Sequence, residues 1–212
     1  MSYVYWNRTQ DRIKQFSNTK EVTMKFVKKT MLAIAISSVF AVSANAGNLN
    51  YNYANLNYVS NDVTGTSGSG LGLEASFGVS DSMNVFLGYQ APSYTGGSIT
   101  ETKVGLGYHQ PTSNTSDWYA KGDFRSYDIG GASASGFAFS GGARGNLSDK
   151  FELDGYIGYT MLDFVGVNFN GVIFGIDGTY KITEKFGITA GYMSDNDAFG
   201  WTGFKIGARM YF

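Results

Sequence analysis

Cysteine is absent from all 212 residues, which excludes disulfide closure of the fold, thiol chemistry and any thiolate metal site. Proline occurs only at Pro92 and Pro111, each between strand-like runs, and His109 is the single histidine. From Gly47 onward no apolar stripe recurs at the helical period of about 3.6 residues. Nor is there a run of the roughly 20 apolar residues that a membrane-spanning helix needs. No phosphate-binding loop and no nucleic-acid motif is present. What the chain has instead is glycine (29 residues) together with 15 Tyr, 16 Phe and three Trp. Aromatic and β-branched residues in that abundance exclude a disordered chain and indicate an all-β fold.

The first 46 residues stand apart. Met24-Lys25-Phe26-Val27-Lys28-Lys29 is a cationic start, residues 31–43 form an uncharged apolar run of 13, and Ala44-Asn45-Ala46 is a small-residue cleavage site. This pattern predicts a cleaved secretory signal over 24–46, with Gly47 as the first mature residue. Residues 1–23 read as a mis-called start or an extended n-region. The remaining 47–212 suits one domain. It holds nine basic and 15 acidic residues, a net of −6, which makes a poor nucleic-acid binder.

A short repeat counts the strands. Val79-Ser80-Asp81-Ser82-Met83-Asn84-Val85, Leu147-Ser148-Asp149-Lys150-Phe151-Glu152-Leu153 and Ile182-Thr183-Glu184-Lys185-Phe186-Gly187-Ile188 share an aliphatic, a hydroxyl, an acid, then alternating apolar positions. Each places a tight polar turn between two alternating runs. The acids lie 68 and 35 residues apart, so a period of about 34 puts a further turn within 110–117. Five two-strand units follow, hence ten strands, with eight as the alternative because 49–59 alternates poorly. The opposite connections are expected near 61–68, 91–98, 130–134, 164–167 and 194–199, with 64–70 reading as flexible loop.

The segment 201–212 shows the strand pattern most plainly. Thr202, Phe204, Ile206, Ala208, Met210 and Phe212 share one face, and Lys205 and Arg209 share the other. The same division separates Met83, Val85, Leu87 and Tyr89 from Asn84 and Gln90, and Trp118, Ala120 and Phe124 from Lys121, Asp123 and Arg125. A secreted sandwich or lipocalin-like barrel and a membrane barrel both predict one apolar and one polar face. Three features favour the membrane. The polar face is glycine-rich with opposite charges closely spaced, the apolar runs extend for about nine to eleven residues, and aromatics gather near strand ends.

Signal, turns and terminal alternating strand together make the chain similar to the small outer-membrane β-barrel proteins of Gram-negative bacteria, in the size class of OmpX and the OmpA barrel. The resemblance covers the signal and all of 47–212. It implies a closed antiparallel transmembrane β-barrel, outer-membrane localisation, contact with outer-membrane lipid and lipopolysaccharide, and a monomer. It also implies that the terminal Phe212 is read by the outer-membrane assembly machinery. The function implied is porin-like or structural.

By parity the interior receives Glu74, Glu101, Lys103, Lys121, Asp123, Arg125, Arg144, Glu152, Asp154, Asp177, Lys181, Lys205 and Arg209, six acids and seven bases. Near-balance suggests pairing across strands, either as a salt-bridged plug or as a narrow channel lined by both signs. Glycines at 72, 88, 105, 107, 142, 175, 203 and 207 either open space or seat large neighbours such as Phe86 and Tyr156. His109 is the one candidate catalytic base, but no serine or acid pattern converges on it, and it reads as a solvated rim residue. Asp195, Asn196 and Asp197 are a weak cation-loop pattern that a solvated turn explains as well. No catalytic residue, metal site or cofactor is assigned. The alternative to a channel or structural barrel is a surface interaction protein acting through outer loops of about four to eight residues.

Overall fold

The computed structural model describes residues 49–63, 65–164, 166–195 and 200–212. The proposed signal, residues 1–23, Asn196 and Asp197 lie outside the described residues. Ten strands follow one another: β1 Tyr53–Val63, β2 Thr66–Ser80, β3 Met83–Tyr94, β4 Gly97–Ser113, β5 Ser116–Ile129, β6 Ala132–Asn146, β7 Phe151–Phe164, β8 Val167–Lys181, β9 Phe186–Asp195 and β10 Trp201–Tyr211. Each pairs antiparallel with its sequence neighbours, and β10 pairs with β1 from Tyr53↔Tyr211 to Val63↔Trp201, which closes the sheet into a barrel. The count is ten, not eight, and the sheet is single, so the sandwich reading is wrong.

Alternation dictates which face is apolar, and closure turns that face outward. Among the described residues thirty large hydrophobic side chains are exposed, from Phe204 at 67% and Leu71 at 63% down to Phe151 at 37%. The buried set is instead rich in Asn, Thr, Asp, Glu and Arg. A soluble or lipocalin-like barrel has the reverse arrangement, so this closed sheet is a transmembrane barrel, each strand paired with a neighbour on both sides.

The strands run longer than the apolar runs foretold, reaching 17 residues in β4. At the end opposite the termini β1 and β2 meet at Val63↔Thr66, β3 and β4 at Tyr94↔Gly97, β5 and β6 at Ile129↔Ala132, and β7 and β8 at Phe164↔Val167. The connections expected to span 61–68, 91–98, 130–134 and 164–167 are therefore two-residue turns, and 66–70 is strand, not flexible loop. Ladder hydrogen bonds do not require apolar side chains, so Ser- and Gly-rich segments continue the sheet. Pro92 and Pro111 also lie within strands, at breaks in the ladder: register pairs skip from Gln90↔Glu101 to Ser93↔Ser98, and shift between Pro111 and Ser113.

Three of the far turns share a device. The Asp62, Asp128 and Asp163 carboxylates accept from the backbone N–H of Gly65, Gly131 and Gly166 at 2.9, 3.3 and 3.1 Å. Those glycines sit at φ +87°, +93° and +80°, where a Cβ is disfavoured.

Candidate functional site

The interior is stacked in three tiers along the barrel axis. At the end that holds the termini, Glu152 on β7 is the hub. Its carboxylate takes Arg144 Nε at 2.8 Å and Arg209 Nη1 at 2.9 Å, with Lys181 Nζ at 3.7 Å. Arg144 and Glu152 are each 2% exposed. The network reaches from β6 across the lumen to β10. Arg209 also donates to Asn55 at 2.9 Å and lies over the Tyr53 ring at 4.2 Å, while Lys181 donates to Asn146 at 2.8 Å.

The middle tier carries two further ion-pair systems. Lys103 and Lys205 flank Glu74 at 3.3 and 3.4 Å, and Lys205 also reaches Asp177 at 3.0 Å. This chain links β4, β2, β10 and β8. On the other wall, Arg125 pairs with Asp123 at 2.5 Å and with Glu101 at 3.7 Å, and Glu101 accepts from Tyr127 Oη at 2.9 Å. Asp154 accepts from Tyr119 Oη at 2.5 Å. Lys121 Nζ lies over the rings of Tyr119 at 4.1 Å and Phe86 at 5.9 Å. These groups enclose a cavity of about 130 Å³.

The tier farthest from the termini is apolar. Tyr127, Ala134, Leu162 and Trp201 form a buried cluster, packed against Val63, Ile99, Ile129, Phe164 and Phe169. Tyr127 and Trp201 meet at 5.9 Å between centroids. With its amide turned so that both ends are satisfied, Asn61 accepts from Trp201 Nε1 at 3.1 Å.

All thirteen charged positions picked out by parity lie in the lower two tiers, buried or half-buried, on the face opposite the exposed apolar set. Phe212 lies outside, exposed, with its ring 5.6 Å from Phe77 and its N–H donating to Asn52 O at 3.2 Å. The lumen glycines seat neighbours: a Cβ at Gly105 meets Phe86 Cζ at 2.5 Å, and one at Gly175 meets Tyr156 Cζ at 2.5 Å. Of the weak cation pattern only Asp195 is described. It is 4% exposed on the interior face of β9.

Three features escaped the sequence. The interior is not polar throughout, because parity was followed only as far as the charges. Carrying it two positions beyond Arg125 reaches Tyr127 and then Ile129. His109 is not a solvated rim residue: it is 7% exposed, stacked on Tyr51 at 3.7 Å and 11° between planes, with Nδ1 3.4 Å from Asp117. Tyr51 itself precedes β1 and gave no motif.

The fold is similar to that of several solved structures. One is an outer membrane channel from Pseudomonas putida F1, at TM-score 0.49 and 10% identity over 79% of this chain and 97% of that one. Another is KdgM porin, at TM-score 0.40 and 11% identity over 74% and 99%. A third is the loop-L8 deletion form of OmpT, an outer membrane protein of Vibrio cholerae, at TM-score 0.40 and 17% identity over 74% and 62%. The chain thus spans about three fifths of the Vibrio cholerae protein. No protein-family model and no curated protein matches the chain.

Proposed function

We propose that this chain is an outer-membrane, porin-like barrel that passes small ions through a narrow interior lined by both signs of charge, and that the present conformation is its closed one. The observation that carries this reading is the cavity lined by both signs of charge, with the apolar cluster at one end of the interior and Tyr51 at the other. About 130 Å³ has room for several water molecules. Ten strands leave slightly more room than the eight that side chains just fill. In this reading 24–46 is a cleaved export signal, the end with the termini faces the periplasm, Phe212 is bound by the assembly machinery, and the monomer contacts outer-membrane lipid and lipopolysaccharide.

Planar-bilayer recording tests the proposal. Small, infrequent steps are expected from the wild type, and larger or more frequent ones from Leu162→Ala, which thins the apolar tier. Silence from both overturns the channel and leaves a structural envelope barrel, the reading favoured by the packed apolar cluster. A surface-interaction role has little support from the four described outer turns, which at two residues each offer little area for a partner. His109 offers no better support for catalysis: its ring is covered by Tyr51 and its Nδ1 faces Asp117.

A further inference from the structure

The segment just ahead of β1 does something that neither the barrel nor the ion-pair systems require. β1 neighbours β2 and β10, yet Asn50 and Tyr51 make contacts on the far side of the barrel, with β6 and β4. Asn50 O accepts from Arg144 Nη2 of β6 at 2.9 Å. The Tyr51 ring lies between two groups of that wall, His109 of β4 at 3.7 Å and the Arg144 guanidinium at 4.7 Å. Asn52 turns back to the near wall, where its Oδ1 accepts from Gly78 N at 2.8 Å. The chain therefore crosses the mouth of the barrel, and Tyr51, with Tyr53, Arg144 and Arg209, bounds the cavity at that end.

The catch is built for release. Its contacts are a ring stack, a cation over a ring face and a single hydrogen bond, all in the segment just ahead of β1. Beside the stack, His109 Nδ1 lies 3.4 Å from an Asp117 oxygen, a long contact for a buried pair. The Arg144–Glu152 and Arg209–Glu152 ion pairs beneath it are made by atoms that Tyr51 does not supply.

We propose that residues 50–52 are a strap that closes the terminal mouth of the barrel, with the Tyr51 ring as the wedge and the His109–Arg144 pair as its catch. Undocking the strap admits water and small solutes to the charged cavity. This names the regulation of the channel proposed above and rests on that reading for its physiological meaning.

The chain has no cysteine, so a single reporter thiol can be placed in the cavity wall as Ser140→Cys in the full exported barrel. The measurement is its rate of reaction with a small, water-soluble, charged methanethiosulfonate reagent. Adding Tyr51→Ala is expected to raise that rate about tenfold, the factor that corresponds to about 1.4 kcal/mol of lost docking. Adding Tyr51→Phe is expected to raise it far less than Tyr51→Ala, because the ring that stacks on His109 and lies under Arg144 is kept. Equal rates for the wild-type strap and Tyr51→Ala overturn the proposal, and so does a Phe variant as fast as Ala. Heat-modifiable gel migration verifies that each variant is folded. Thiol reactivity reports the mouth and bilayer conductance reports the pore, so fast labelling without conductance sinks the channel reading and leaves the strap standing.

Discussion

Glu152 balances three cations with one carboxylate, and that asymmetry decides what its loss does. With Glu152→Gln, Arg144 and Arg209 stay in a buried site without a counter-charge. Removing one partner of a buried pair typically costs about 3–5 kcal/mol. A loss of that size is expected in the unfolding free energy of Glu152→Gln from urea titration in detergent micelles, and an unchanged midpoint refutes the hub. Lys121 is the contrasting residue. It rests on aromatic rings in the cavity, so Lys121→Glu should alter ion preference more than stability. In a salt gradient the reversal potential of the variant should move toward cation selectivity.

At the scale of elements, the barrel spends its polar side chains on turns. The Asp-x-x-Gly turns at Asp62, Asp128 and Asp163 hold strands together at the far end with only two residues between them. Asp163→Ala removes one such bond and should destabilise by about 1 kcal/mol. Gly131→Val forces a β-branched residue to φ +93° and should cost at least about 1–2 kcal/mol. Both are read from unfolding midpoints, and the prediction fails if Gly131→Val is the milder of the two. The closing strand makes a different demand. Phe212 packs on Phe77 at the surface, so Phe212→Ala should reduce the folded fraction recovered in the outer membrane far more than it reduces the stability of what does fold. Much of this level was legible in the chain. The Ser-Asp and Thr-Glu turns counted the strands because a tight hairpin has few chemical solutions. The Asp-x-x-Gly turns were equally regular but passed unread, since their polar composition looked like loop.

For the whole molecule, closure is the decisive event. A ten-stranded barrel with its apolar face outward should migrate faster on a gel unheated than boiled, and should partition with outer membranes; recovery as a soluble periplasmic protein rules it out. What the amino-acid sequence determined by itself was everything that depends on periodicity: ten strands, two faces, the thirteen charges set inward and the aromatic end at Phe212. Side-chain direction in a strand is a local property of the backbone, so parity carries it without knowledge of the partner strands. What only the tertiary structure decided was which inward residues share a height. Glu152 meets Arg209 from 57 positions away, Val63 joins Trp201 and Leu162 in an apolar tier, and Tyr51 crosses the mouth to His109 and Arg144. Those meetings follow from strand register and from the curvature that brings β1 opposite β6. Neither is written in any single stretch of chain, and together they set an apolar tier at one end, ion pairs through the middle and Tyr51 at the other end.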